Sequence, residues 1–248
     1  MPGANDDDAG SDALMGFVEH DYSDADALAA SLAEQLRVTC TDAVATRGHA
    51  WLALGGGSTP LPLYRRLAAS DLRWSQVTLV PTDERCVPHD HRACNLAAIG
   101  AAFESADGVD LLALTTTDGD PQRSQAHARA AIARHPEPFD AVVLGMGADA
   151  HTASLFPGVP GLAEALDPMS AVEACRIDPQ PLPPEAPYPR ITLTAARLLR
   201  ARSLHLAIVG AAKRAVLRQA AASRDVLQHP LAAFLHDATA RLHVHWSP

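Results

Sequence analysis

The sequence predicts a single α/β domain in which helices flank a mostly parallel central sheet. Three observations carry the α/β expectation. Short apolar runs alternate with stretches of helical periodicity, which requires crossover connections and hence parallel strands. Glycines sit where several of those runs end and helical patterns begin. The 248 residues, 48% of them apolar, suit one unit with a sizeable core.

Each element follows from its local pattern. Residues 1–15 place three consecutive aspartates among Gly, Ala and Ser, have nothing to bury, and are expected to form a disordered acidic tail, so the folded unit is 16–248. Order is expected from Phe17. Between Asp24 and Arg47, Leu28, Leu32, Leu36 and Val44 recur at helical spacing, with Ser23 or Asp24 placed as the cap. An apolar run at 51–54 leads to a helix-like stretch at 59–69, and a run at 77–80 leads to one near 95–103. Short apolar runs follow at 111–114 and 139–144; 203–209 and 211–222 repeat the strand-then-helix plan, and "RLHVHW" at 241–246 reads as a closing strand. The stretch "DPQPLPPEAPYPR" at 178–190 carries six prolines and is expected to be a surface excursion. Either flank alone has too few strands to close a core, so no boundary is placed there.

Bulk composition narrows the function. A net charge of -9 repels polyanions, and 4% aromatic residues make a poor stacking surface, so no nucleic-acid partner is expected. Any phosphate bound is then small and gripped locally. Cys40, Cys86, Cys94 and Cys175 form no CxxC pair and read as free thiols in a reducing compartment. The acidic N-terminus is opposite in plan to a secretory signal, and no run of about 18 apolar residues follows, so the expectation is a cytoplasmic protein with no membrane partner.

Four stretches can carry chemistry. In "WLALGGGSTP", Gly55, Gly56 and Gly57 lie between a strand and a helix, where backbone N–H groups converge on an anion; Ser58 and Thr59 add hydroxyl donors. Neither the triphosphate nor the dinucleotide glycine pattern is met, and a tight helix-capping turn is the plain alternative. In "LVPTDERCVPHDHRACN", Asp83, Glu84 and Arg85 arrive at a strand's carboxyl end, where open α/β sheets bind ligands; a solvated charge cluster is the alternative. Cys86, His89, His91 and Cys94 give a CxxHxHxxC spacing that matches no standard zinc pattern, so no metal is assigned. In "FDAVVLGMGADAHTASLFPG", Asp149 and His151 follow a strand end, and such an aspartate can fix the tautomer of a histidine base or position a ligand hydroxyl. A histidine bonded within its own turn is the bland reading. Finally, Arg190 precedes an alternating segment, and Lys213 follows a strand end at Gly210, as a phosphate-binding lysine would or as a surface lysine would.

Together these stretches resemble the 6-phosphogluconolactonase family, within the larger group that includes glucosamine-6-phosphate deaminases. The anchors stand in the family's order: "GGGSTP" at 55–60, "DERCVP" at 83–88 with Asn95, "GMGADAHTASLFPG" at 145–158, "RITLT" at 190–194, and Gly210 with Lys213. The resemblance implies a NagB-like modified Rossmann fold, no metal or cofactor, and hydrolysis of 6-phosphoglucono-δ-lactone in the pentose phosphate pathway. Its partner is then a small sugar phosphate lactone, and a monomer or weak homodimer is expected. It makes Gly56, Gly57, Ser58 and Thr59 part of a phosphate cradle with Lys213 and Arg190, Asp83 part of the binding site, His151 the base, Asp149 its companion and Arg85 the arginine near the lactone.

Two positions depart from the family. Ala150 stands where glycine is usual between Asp149 and His151, at a cost of roughly 1 kcal/mol if φ is positive there. Cys94 stands where serine commonly precedes Asn95, and a weaker donor is expected to lose a polar contact. Two other functions remain open: an amino-sugar-phosphate isomerase or deaminase, whose assisting glutamate is replaced here by Phe156, and a sugar-phosphate sensor without turnover.

Overall fold

A computed structural model describes residues 16–183 and 187–248, so the expected acidic tail and part of the proline-rich excursion lie outside the described residues. The chain begins β1 (Phe17–Asp21), α1 (Ala25–Arg47), β2 (Ala50–Leu54), α2 (Leu61–Ala68), β3 (Val77–Pro81), β4 (Asp83–Arg85), α3 (Asn95–Ala102) and β5 (Asp110–Leu111). It continues α4 (Pro121–Ala133), β6 (Ala141–Leu144), α5 (Leu162–Leu166), β7 (Ala174–Ile177), β8 (Arg190–Leu193), α6 (Ala195–Leu198), β9 (Leu204–Val209), α7 (Ala211–Ala222), α8 (Ala232–Leu235) and β10 (Leu242–Ser247). The alternation read from the sequence is therefore present, with α4 and the short elements added to it.

Seven strands form an all-parallel sheet in the order β1-β10-β9-β6-β2-β3-β5, and β4-β8-β7 form a small antiparallel sheet. Every residue of β2, β3 and β6 is buried, as expected for central parallel strands covered on both faces. Alternate side chains feed two cores. Ala50, Leu52 and Leu54 pack with Leu32, Leu36 and Leu63 beneath α1, α2 and α3. On the opposite face Trp51 and Ala53 join Ile132, Leu193 and Phe234, from α4, β8 and α8.

Of the two candidate caps on α1, Asp24 does the work: its Oδ1 accepts the Ala27 N–H at 2.8 Å. The helix ends at Gly48, whose φ of 78° suits glycine and whose N–H bonds the Val44 carbonyl. The last strand is not a sheet edge. β10 inserts between β1 and β9, so the chain's two ends close the sheet together.

The topology creates the crevice. From β2 the chain winds through β3 to the β5 edge, then returns past β2 to β6 and continues the other way to β9 and β10. Loops leaving the carboxyl ends of β2 and β6 therefore diverge, and ligands bind at such switch points.

A histidine ladder ties β1, β10 and β9 together. His20 lies opposite His245, and His243 opposite His205. Ser203 Oγ pairs with His205 Nε2 at 2.6 Å, His205 Nδ1 with His245 Nε2 at 3.1 Å, and His245 Nδ1 with Tyr22 Oη at 2.9 Å. Burial, reinforced by the neighbouring rings, pushes His205 down to about 3 and His245 down to about 2. Unfolded histidine binds a proton below about pH 6.5 and these folded rings do not, so their share of stability is complete above that pH and is lost as pH falls. Each histidine is expected to cost about 2 kcal/mol by pH 5, at roughly 1.4 kcal/mol per pH unit. Urea midpoints measured between pH 7.5 and 5 check this, and His245→Gln should make the acid decline visibly shallower; an unchanged decline counts against neutral burial.

Candidate active site

The glycine loop begins where β2 leaves the sheet. Gly55 N–H donates to the Val143 carbonyl at 2.7 Å, and Tyr64 Oη donates to the Gly55 carbonyl at 2.8 Å, which pins the loop to β6 and α2. Gly56 is dictated by close approach: a Cβ there would lie 2.2 Å from Asn95 Oδ1. Gly57, Ser58 and Thr59 are exposed and line the cleft ahead of α2, whose N-terminus no side chain caps.

The loop after β6 carries Asp149 and His151. It closes through Gly147 N–H to the His151 carbonyl at 2.8 Å and Ala150 N–H to the Gly147 carbonyl at 3.3 Å. His151 Nδ1–H donates to Asp149 Oδ1 at 2.6 Å, a pairing that leaves Nε2 as the free base position. Partial burial works to raise the Asp149 pKa, but its hydrogen bonds with His151 and the attraction of that ring hold it below the usual carboxylate range. Gly147 makes room for the pair, since a Cβ there would lie 2.0 Å from His151 Nδ1. Ala150 takes a positive φ of 61°, so the strain anticipated for alanine is present; the aspartate–histidine bond forms nonetheless.

The two carboxylates of β4 have different tasks. Asp83 lines the cleft, accepts a hydrogen bond from Ser154 Oγ at 2.5 Å on Oδ2, and has its carbonyl held by Asn95 Nδ2 at 2.8 Å. Glu84 is fully buried and accepts the N–H groups of Arg85, Asn95 and Leu96 at 2.8, 2.7 and 2.7 Å. Burial raises its pKa while those N–H groups oppose the rise. Glu84 thus orders the loop at the α3 N-terminus, and it is not among the residues that line the cleft.

Three cations face the same space. Arg85 donates through Nη1 to the Ala93 carbonyl at 2.9 Å, while its buried Nε has no partner within the protein. Arg190, opposite Arg85 in the β4–β8 register, is 3% exposed and donates to the Tyr188 carbonyl at 3.0 Å. Burial lowers its pKa, Asp83 opposes that shift and Arg85 adds to it. Lys213, in the first turn of α7, donates to the Met146 carbonyl at 2.5 Å; burial lowers its pKa and Asp149 opposes the shift.

A cleft of about 360 Å³ gathers Gly56, Gly57, Ser58, Thr59, Asp83, Arg85, His151, Arg190 and Lys213. Asp149 reaches it through His151. Sequence reasoning passed over Gly147 and the contacts of Phe156, whose ring lies 4.2 Å from that of His151 and 4.9 Å from Arg190 Cζ. Repetition of glycine in "GMG" was the available signal for the first; nothing in the sequence announced the second.

Cys86, His89, His91 and Cys94 do not gather round a point, and among the described residues no three His, Cys, Asp or Glu side chains do so in a metal-holding arrangement. His89 Nε2 pairs with Thr115 Oγ1 at 3.1 Å, and His91 Nδ1 accepts the Ala93 N–H at 3.1 Å. Cys94 keeps the contact expected to be lost: its Sγ donates to Glu84 Oε2 at 3.5 Å and accepts the Ala97 N–H at 3.4 Å, capping α3. All four cysteines are free thiols, and among the described residues no helix is long and apolar enough to cross a membrane.

Known proteins share this sequence and fold along nearly the whole chain. The profile described as "Glucosamine-6-phosphate isomerases/6-phosphogluconolactonase" matches residues 23–246. A 6-phosphogluconolactonase of Rhizobium meliloti (strain 1021) is 37% identical over 92% of this chain and 98% of its own. One of Pseudomonas putida is 35% identical over 92% of each. The solved structure of a 6-phosphogluconolactonase from Shewanella baltica OS155 superposes with a TM-score of 0.87 at 33% identity, covering 94% of this chain and 98% of that one. With its parallel sheet, switch-point cleft and matched motifs, the chain belongs to the glucosamine-6-phosphate isomerase/6-phosphogluconolactonase family.

Proposed function

We propose that the protein hydrolyses 6-phospho-D-glucono-1,5-lactone to 6-phospho-D-gluconate, the lactone step of the oxidative pentose phosphate pathway. The observation that carries this reading is the convergence of the Asp149–His151 pair and Arg85 with the glycine loop and Lys213 in one cleft. A base beside a phosphate cradle suits an ester whose far end is a phosphate.

The roles follow from the geometry. The N–H groups of the glycine loop, the Ser58 and Thr59 hydroxyls, Lys213 and Arg190 hold the 6-phosphate, which supplies orientation. His151 Nε2 takes a proton from water as its oxygen bonds to C1; the carbonyl oxygen becomes an oxyanion, and the unpartnered Nε–H of Arg85 stabilises it. As the intermediate collapses, the bond from C1 to the ring oxygen breaks and His151 returns the proton to that oxygen. Asp149 keeps Nδ1 protonated throughout, and Asp83 fixes the β4 wall. None of these steps calls on a metal, and the compartment is expected to be the cytoplasm. A glutamate that would assist ring opening in an isomerase is replaced by Phe156, which cannot carry a proton.

The direct test measures 6-phosphogluconate released from freshly generated lactone, coupled to 6-phosphogluconate dehydrogenase and NADP, with chelator present and against the spontaneous rate. Acceleration that survives the chelator is expected; a folded protein at the background rate favours the non-catalytic sensor. His151→Ala should lower kcat on the order of 10²-fold or more with KM within a few-fold, whereas Lys213→Ala should raise KM by roughly tenfold or more. Gly147→Ala should lower kcat about as far as loss of a well-placed base does, because its methyl group must displace the imidazole. Turnover by Gly147→Ala equal to the parent's would show that the ring position does not matter.

A further inference from the structure

His151 has one directional restraint, the 2.6 Å bond from Nδ1 to Asp149. A single bond fixes one atom of the ring and the tautomer, but the imidazole can still rock about that bond and swing Nε2 away from its target. The second restraint comes from Phe156. Its ring centroid is 4.2 Å from that of His151 at an interplanar angle of 36°, an offset aromatic contact that resists such rocking.

Phe156 is itself braced. It follows the short bridge between Thr152 and Leu155 and packs against the main core while keeping one part in the cleft. Arg190 Cζ lies 4.9 Å from the centre of the same ring, a cation–π contact. Arg190 is a buried residue of β8, itself paired with β4 and β7. A mechanical connection thus runs from a strand through Arg190 and Phe156 to the base on its loop. A ring that served only to fill the core has no reason to line the cleft between these two side chains.

We propose that Phe156 is a positioning residue that holds the plane of the His151 imidazole while Asp149 sets its tautomer. The proposal rests on the lactone-hydrolysis reading for its kinetic arm only. Arg190 has its anchorage to Tyr188 without the phenyl ring, so loss of that ring acts on the base more than on the phosphate grip.

Two substitutions at Phe156, read by kinetics, thermal midpoints and ring spectra, test it. Phe156→Leu keeps an apolar side chain and removes the ring; Phe156→Tyr keeps the ring; the parent is the reference. Phe156→Leu is expected to lower kcat about tenfold with KM within about twofold, and Phe156→Tyr to restore kcat to within about threefold of the parent. Thermal midpoints of all three should agree to within a few degrees. Independently of any substrate, long-range 1H–15N spectra of the His151 ring, assigned with His151→Ala, should report a single Nδ1–H tautomer in the parent and in Phe156→Tyr. In Phe156→Leu the Nδ1–H tautomer should persist, because Asp149 still sets it, while the His151 ring signals broaden by exchange as the plane rocks. Parent-like kcat in Phe156→Leu, or His151 ring signals as sharp in that variant as in the parent, overturns the proposal. A parent that fails to hydrolyse the lactone sinks the functional reading, and the ring spectra then decide the positioning role alone.

Discussion

The return of the chain across β2, from the β5 edge to β6, is the constraint on which the site depends. In a parallel sheet all strands end on one edge, so their loops crowd there unless the winding direction reverses. Here the loops after β2 and β6 part company, and the space between them is bordered by glycine-rich backbone on both sides. The β9 loop adds Lys213 from the same edge, while the small antiparallel sheet brings Arg85 and Arg190 from across it. Residues distant in sequence meet because strand order, not chain order, sets their spacing.

Charge is distributed to match. The chain carries a net charge of -9, yet three cationic side chains line one cleft. A small dianion gripped by adjacent cations and N–H groups feels those neighbours far more than the diffuse field, which salt screens over about 10 Å. The buried Glu84 looks costly until its partners are counted. Two backbone N–H groups at the start of α3 and the Arg85 N–H in β4 satisfy it, so it serves as the anionic counterpart of a helix N-terminus and fixes the β4–α3 loop. Through Asn95, which also holds the Asp83 carbonyl and abuts Gly56, the same bonds set the distance between the charged strand and the glycine loop.

Much of this was legible in the sequence, for identifiable reasons. The helical spacing at 211–222 coincides with α7, and the apolar runs at 51–54 and 77–80 fall within β2 and β3, because fully buried strands must be apolar throughout. The run at 111–114 overstates β5, which keeps only Asp110 and Leu111 in the ladder. α4 escaped because its stretch "PQRSQAHARAAIA" lacks a strong apolar stripe; its start was nevertheless marked by Asp120 and Pro121, a capping aspartate and a first-position proline. β1 escaped because "FVEHD" is a mixed edge strand. At the site, Asp149 and His151 were readable because a strand end followed by glycines locates a ligand edge. The separate tasks of Asp83 and Glu84 were not readable. Successive strand residues point to opposite faces, and only the fold says which face is the cleft.

Ala150 links the strained loop to the rest of the molecule. Its positive φ costs an L-residue about 1 kcal/mol, and the conformation persists because bonds on both sides demand it: its N–H reaches Gly147 and its carbonyl accepts the Leu231 N–H at 3.0 Å. Its methyl group is fully buried in the main core, a gain of about 0.8 kcal/mol that glycine would forgo, and alanine leaves the unfolded chain fewer conformations than glycine does. Strain and compensation are therefore of similar size, which accounts for an alanine at a left-handed position. Asp149 and His151 flank this residue, so the turn that bears the strain also sets the spacing of the aspartate–histidine pair. The cost of the left-handed turn is met in the core, and the geometry it enforces appears in the cleft.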